Sequence, residues 1–136
     1  MSPGPLTMTH LLDTDVSIEI LRRRDPAIRA RLAETPEVAV STITVAELCY
    51  GAARASDPSA NRAAVEEFLA HVTVLDLDSE AAAHAGEIRA ELAAAGRPVG
   101  AYDLLIAGQA RSRGLVVVTR NVREFDRVAG LRVETW

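Results

Sequence analysis

Short apolar runs alternate with amphipathic stretches along nearly the whole chain. Apolar runs bounded by turn residues predict buried strands, and apolar positions three and four apart predict helices. The pattern predicts strands at 7–12, 38–41, 71–77, 115–118 and 131–134, and helices at 15–21, 27–33, 42–55, 57–70, 79–95 and 101–113. Because strands and helices alternate, we predict a three-layer α/β/α sandwich around a central, mainly parallel sheet.

The length of 136 residues fits a single domain, so we expect residues 1–136 to form one unit. Residues 1–7 add little to the first strand, and we expect them to form a flexible N-terminal extension, with Met1 or Met8 as the start. No apolar stretch approaches the roughly 18 residues of a membrane helix, and the start lacks the features of a signal peptide. We therefore expect a cytoplasmic protein with no membrane partner.

Two features of the composition exclude whole classes of chemistry. Cys49 is the only cysteine, which excludes an intramolecular disulfide and a metal site built from cysteines. All 15 basic residues are arginine, so a P-loop lysine, a Schiff base and a Ser–Lys dyad are impossible. The net charge of -4 argues against a protein that coats nucleic acid by bulk electrostatics, but it leaves room for a local arginine patch.

Acidic residues follow the predicted strands at the edge where an open parallel sheet binds ligands. Asp13 ends the first strand, Glu47 lies in the first turns after the second strand, and Asp103 lies in the first turn of the helix that leads to 115–118. Buried carboxylates need a partner, and an all-oxygen set suits Mg²⁺ or Mn²⁺. Such a cation activates water and orients a phosphodiester, so the pattern predicts a nuclease or a phosphatase.

Structural interpretations of the same residues stay open. Glu47 completes a capping box with Thr44, and Asp103 suits the first turn of a helix because of the helix dipole. Asn121, which follows the strand at 115–118, is also a common turn residue. Asp13 has no obvious local donor, which favours a functional role.

Three further residues near the predicted site have possible roles. Asp15 either supports the site or caps the helix that follows it. Arg120 and Arg123 flank Asn121, and their guanidinium groups are candidates for binding phosphate oxygens.

Four segments carry motifs in a characteristic order: LLDTDV at 11–16, TVAEL at 44–48 with YG at 50–51, YDLLIA at 102–107, and VTRN at 118–121 with EF at 124–125. Together they resemble the PIN-domain ribonucleases, and specifically the VapC-type toxins of bacterial toxin–antitoxin pairs. The resemblance covers nearly the whole chain and implies a PIN-like fold. It implies that the catalytic, metal-binding acids are Asp13, Glu47 and Asp103. It implies that Asp15, Thr119 and Asn121 support them, with a possible contact from Asn121 to the metal through water.

The resemblance also implies an activity and its partners. It implies hydrolysis of RNA by water activated by Mg²⁺ or Mn²⁺, which leaves a 5′-phosphate and a 3′-hydroxyl. It implies a homodimer that is inhibited by a VapB-type antitoxin, whose tail presents a basic side chain to the acids. Asp15 stands where such toxins often carry Asn, and Asn121 stands where many PIN domains carry a fourth Asp. Because that fourth carboxylate is missing, we expect only one tightly held ion.

Other protein classes share parts of this pattern. The segment at 13–16 also resembles the first motif of haloacid-dehalogenase-like phosphatases, but those enzymes require a downstream lysine and an acidic pair that this chain lacks. A receiver domain fails for the same missing lysine. The remaining alternative is a non-catalytic PIN-like module that binds RNA or protein, which the amide at Asn121 favours.

Overall fold

The computed structural model describes residues 8–23 and 25–136, so the N-terminal extension expected at 1–7 lies outside the described residues. Strands and helices alternate over most of this range. The strands are β1 His10–Leu12, β2 Val38–Ser41, β3 Thr73–Leu75, β4 Val116–Val118 and β5 Arg132–Glu134. The helices are α1 Thr14–Leu21, α2 Pro26–Glu34, α3 Thr42–Ala53, α4 Pro58–Leu69, α5 Ser79–Ala94, α6 Ala101–Arg113 and α7 Val122–Phe125.

The strands form one sheet in the order β3-β2-β1-β4-β5, and each neighbouring pair is parallel. Strand β1 is central, because Leu12 pairs with Val40 of β2 on one side and with Val118 of β4 on the other. The backbone N–H of Asp13 donates to the carbonyl of Val118 at 3.0 Å, which continues this ladder into the first acidic residue. All the carboxyl ends of the strands therefore meet at one edge of the sheet.

Two hydrophobic clusters cover the two faces of the sheet. Successive side chains of a strand point to opposite faces, so Leu11 packs in the cluster beneath α5 and α6, and Leu12 packs in the cluster beneath α1 and α4. This arrangement confirms the predicted α/β/α sandwich. Among the helices that the structure describes, none has the length and apolar character needed to cross a membrane.

Helices α5 and α6 pack unusually closely because Gly108 faces Ala85. A Cβ atom added to Gly108 would lie 2.6 Å from the backbone nitrogen of Ala85, a distance that real Cβ atoms do not reach. Helix α6 ends at Gly114, whose left-handed φ of 66° favours glycine. The missing side chain at Gly108 thus sets the position of the helix that carries Asp103.

The element boundaries differ from the predicted ones at the edges of the sheet. Strand β3 covers only Thr73–Leu75 of the predicted run at 71–77, and its first two side chains are exposed because it is an edge strand. Helix α7 was not predicted, because a helix of four residues is too short to show a helical period.

Candidate active site

Asp13 is buried at the end of β1 and forms the N-cap of α1. Its side chain is only 2% exposed, and its Oδ1 accepts a hydrogen bond of 2.9 Å from the backbone N–H of Val16. The expectation that Asp13 has no local donor is therefore wrong. Burial raises the pKa of Asp13 to about 6, although hydrogen bonds from Thr119 and Val16 oppose the rise. The negative charges of Asp15 and Glu47 raise it further.

Glu47 is held by a residue of another helix. The N-cap of α3 is Ser41, whose hydroxyl accepts from the N–H of Ile43 at 3.0 Å, so the capping box expected between Thr44 and Glu47 is wrong. Oε1 of Glu47 instead accepts a hydrogen bond of 2.7 Å from the hydroxyl of Thr14. The side chain of Glu47 thus lies beside the first turn of α1, near Asp13.

Asp103 lies in the first turn of α6 and faces Glu124 of α7. Burial raises the pKa of Asp103 to about 7, and the charge of Glu124 and a hydrogen bond with it add to the rise. The charges of Asp13 and Asp15 contribute in the same direction. The favourable effect expected from the dipole of α6 is therefore outweighed by burial and by the neighbouring acids.

Glu124 is an acidic member of this cluster that the pattern of apolar and polar positions did not single out. Its Oε1 accepts from the backbone N–H of Gly100 at 3.3 Å, and its Oε2 accepts from the side-chain amide of Asn121 at 2.5 Å. A signal was available, since Asn121 and Glu124 are three residues apart, the spacing at which side chains meet on one helical turn. Asn121 therefore orients an acid of the site.

Asp15 and Thr119, the other two supporting residues, have distinct positions. Asp15 is exposed in the first turn of α1 and is not its cap, since Asp13 has that position. Thr119 is fully buried, and its hydroxyl accepts from the backbone N–H of Asn121 at 2.9 Å. A separate hydrogen bond from Thr119 lowers the pKa of Asp13, so Thr119 also connects the end of β4 to that acid.

The two candidate phosphate-binding arginines point to different partners. Arg120 donates a hydrogen bond of 2.7 Å to Asp25, the N-cap of α2, and this bond lowers the pKa of Asp25. Arg120 is thus occupied in joining the β4–α7 loop to α2. Arg123, in contrast, lines an open groove beside α7.

No arginine neutralises the acids of the site within the described part of the chain. Each ion pair between described residues lies elsewhere, and none includes Asp13, Asp15, Glu47, Asp103 or Glu124. Among residues 8–23 and 25–136, no three acidic, imidazole or thiol groups converge closely enough to form a ready-made metal cage. The edge of the sheet is therefore a cluster of carboxylates with excess negative charge.

Comparison with known proteins identifies the family. The sequence model of the PIN domain family matches residues 10–131 of this chain. The tRNA(fMet)-specific endonuclease VapC of Salmonella typhimurium is 50% identical over 130 residues, which cover 95% of this chain and 98% of that protein. The protein of the same name from Shigella flexneri is 47% identical over the same shares of the two chains.

Solved structures agree with this assignment. The DNA-bound VapBC structure from Salmonella typhimurium contains a chain that superposes with a TM-score of 0.91 at 48% identity, covering 95% of this chain and 98% of that chain. VapBC2 from Rickettsia felis, bound to a DNA fragment from its promoter, gives a TM-score of 0.89 at 30% identity, covering 95% and 99% of the two chains. This chain therefore belongs to the VapC ribonucleases of the PIN-domain family.

Proposed function

We propose that this chain is a toxin that cleaves RNA by hydrolysis and depends on Mg²⁺ or Mn²⁺. The observation that carries the proposal is the convergence of acids from α1, α3, α6 and α7 at the carboxyl edge of the sheet without a basic partner among the described residues. Carboxylates held together in this way repel one another, and a divalent cation relieves that repulsion.

The donor set fits a hard cation. Asp13, Asp103 and Glu47 would hold it, with Asn121 in contact through water, and carboxylate oxygens are the ligands that Mg²⁺ and Mn²⁺ prefer. Mg²⁺ commonly binds through one or two carboxylates and completes its shell with water and substrate phosphate, so a closed protein cage is not required. When bound, the cation would stabilise charge on the phosphodiester and lower the pKa of the attacking water.

Neutral donors set the direction of each acid before substrate binds. Val16 and Thr119 hold Asp13, and Thr14 holds Glu47. Because these donors carry no charge, they orient the carboxylates and leave their negative charge available to a cation. Supporting hydrogen bonds of this kind contribute strongly to metal affinity.

We propose initiator tRNA, the tRNA(fMet) of its relatives' names, as the substrate. Two relatives that are 47% and 50% identical over nearly their whole length are named for this specificity. Water is the nucleophile in this proposal, so the 2′-hydroxyl of the RNA would contribute to recognition and not to the chemistry.

We also propose that a VapB-type antitoxin inhibits the chain and that the toxin acts as a homodimer in the bacterial cytoplasm. The solved relatives include VapBC complexes. An arginine or lysine from the antitoxin would neutralise the same carboxylates that a cation neutralises, so the antitoxin would compete with metal. Mn²⁺ affinity measured by calorimetry should fall when the antitoxin is saturating, and unchanged affinity would contradict this competition. Light scattering tests the homodimer.

One experiment separates the toxin from a non-catalytic module. The wild type and Asp13→Asn are induced in a bacterium that lacks the antitoxin, growth is followed, and new RNA 5′ ends are sequenced. We expect growth arrest and discrete 5′-phosphate ends, enriched in initiator tRNA, with the wild type only. Equal behaviour of the two proteins at equal soluble levels would favour the binding module. Purified wild type with EDTA, Mg²⁺ or Mn²⁺ then tests the metal dependence.

A further inference from the structure

A groove lined by three arginines lies beside the acidic cluster. It has a volume of about 750 Å³ and is lined by Arg97, Val122, Arg123, Asp126 and Arg127. Arg123 belongs to α7, and Arg127 lies in the turn that follows this helix. Arg97 reaches the groove from the loop that joins α5 to α6.

The guanidinium groups of these arginines are not engaged by other described residues. Most arginines in the described part of the chain form ion pairs or hydrogen bonds, as Arg111 does with Glu87 and Arg120 does with Asp25. Arg22, Arg89, Arg97, Arg123 and Arg127 form no side-chain hydrogen bond or ion pair with any described residue. Three of these five line the same groove.

Two of the three arginines lie close to the acidic cluster along the chain. Arg123 directly precedes Glu124, which faces Asp103. Arg97 is three residues before Gly100, whose N–H donates to Glu124, so it lies within about 10 Å of that residue along the chain. Arg97 and Arg123 are therefore near enough to the acids to meet neighbouring phosphates of a polymer that presents one bond to them.

The chemistry of the groove suits a phosphate backbone better than a protein segment. Guanidinium groups bind phosphate oxygens through paired hydrogen bonds, and a chain of net charge -4 needs a local positive surface to hold a polyanion near carboxylates. Protein partners usually insert apolar or aromatic anchors, and Val122 is the only apolar side chain that lines this groove among the described residues.

We propose that Arg97, Arg123 and Arg127 bind successive phosphates of the RNA on one side of the scissile bond and direct the strand toward Asp103 and Glu124. This inference rests on the proposed ribonuclease function and adds to it the surface that holds the substrate. It assigns the phosphate-binding role to Arg123 and to two arginines outside the motifs, and it leaves Arg120 with its structural partner Asp25.

The test measures RNA binding and RNA cleavage separately. Binding of transcribed initiator tRNA is measured on Asp13→Asn protein, which retains the groove, at 50 to 300 mM salt (roughly the range over which phosphate contacts weaken strongly). In this background, Arg97→Gln, Arg123→Gln, Arg127→Gln and the triple variant are compared with Arg22→Gln. Arg22 is a matched control, because it is also unpaired among described residues and lies roughly 13 Å from Asp13 along α1.

We expect each groove variant to weaken binding about 3- to 10-fold and the triple variant about 100-fold or more. Each lost phosphate contact should reduce the slope of log affinity against log salt by about 0.7. When the same arginine substitutions are made in protein that keeps Asp13, KM for RNA cleavage should rise by similar factors, while kcat stays within about twofold of the wild-type value. Arg22→Gln should match its parent in each measurement.

The outcomes distinguish the inference from the function on which it rests. If the wild type cleaves RNA but the triple variant keeps its KM and salt slope, the groove assignment is wrong and the function stands. If the wild type cleaves no RNA but the triple variant still loses binding and slope, the groove binds RNA and the catalytic proposal is wrong. If the triple variant loses affinity for the antitoxin and not for RNA, the groove is a protein-binding surface and the inference is overturned. Absence of both binding and cleavage would overturn both.

Discussion

The hydroxyl of Thr14 donates a 2.7 Å hydrogen bond to Oε1 of Glu47 and thereby joins the first turn of α1 to the second turn of α3. Thr14 is buried, and its hydroxyl also lies 3.0 Å from that of Thr44. This neutral contact sets the direction of Glu47 without neutralising it. Thr14 is therefore a positioning residue for an acid of the site.

Replacement of Thr14 by valine tests this role, since it keeps the branched shape and removes the hydroxyl. We expect kcat to fall about 10-fold, which corresponds to about 1.4 kcal/mol, with KM nearly unchanged. Thr14→Ser keeps a donor and should retain most of the activity. Equal kcat values for the valine and serine variants, with similar melting temperatures, would show that the hydrogen bond does not matter.

Two substitutions of Asp13 separate its cap from its charge. Both Asp13→Asn and Asp13→Ala should reduce cleavage by at least about 100-fold, since each removes a carboxylate that would bind metal. Asparagine can still accept from Val16, whereas alanine loses the cap, so the alanine variant should be about 1 kcal/mol less stable than the asparagine variant. Urea unfolding measures the difference, and equal stabilities would contradict the role of Asp13 as a cap.

The stability of the metal-free protein should depend on pH through Asp13 and Asp103. Their folded pKa values, about 6 and about 7, lie above the ordinary value of 3.8, so the folded state binds more protons than the unfolded state. The stability that the protonated carboxyl groups of Asp13 and Asp103 contribute is fully present below pH 3.8 and is lost as the pH rises to about 7. We expect the melting temperature in EDTA to fall between about pH 4 and pH 7.

Asp103→Asn is the matched variant for this pH dependence, because it removes one of the two carboxyl groups whose pKa is raised, chiefly by burial. It should show a smaller fall in melting temperature than the wild type over the same pH range. Mn²⁺ added at the upper end of the range should stabilise the wild type more than the variant. Identical pH profiles for the two metal-free proteins would show that the ionisation of Asp103 contributes nothing to the pH dependence of stability.

Two glycine substitutions test the packing of α5 against α6. Gly108→Ala would place its Cβ 2.6 Å from the backbone of Ala85, and we expect a loss of about 1 to 3 kcal/mol. Gly86→Ala is the control, since nothing lies within 4 Å of an added Cβ there. At that exposed helical position alanine should stabilise the protein by about 0.5 to 1 kcal/mol. Thermal unfolding should therefore show shifts of opposite sign, and shifts of the same sign would contradict the close packing.

Much of the fold and part of the site could be predicted from the chain alone. Periodic apolar positions indicated alternating strands and helices, and a parallel sheet brings the carboxyl ends of its strands to one edge. This rule predicts that Asp13, Glu47 and Asp103 lie at that edge, because their positions relative to the strands can be read from the local sequence. The apolar period could not reveal Glu124 as a site residue, since α7 has only four residues, and its spacing of three from Asn121 was the one local signal.

The composition of the chain limits its chemistry before any fold is known: with no lysine, a single cysteine and acids at strand ends, oxygen ligands and arginines are the charged groups of the site. Which partner each of those groups finds, in contrast, depends on the folded arrangement of the elements. Arg120 pairs with Asp25, a residue 95 positions away, whereas Arg123 remains in an open groove. The reason is physical, because a side chain's partner depends on which elements the sheet brings together, and that contact has no local signature in the chain.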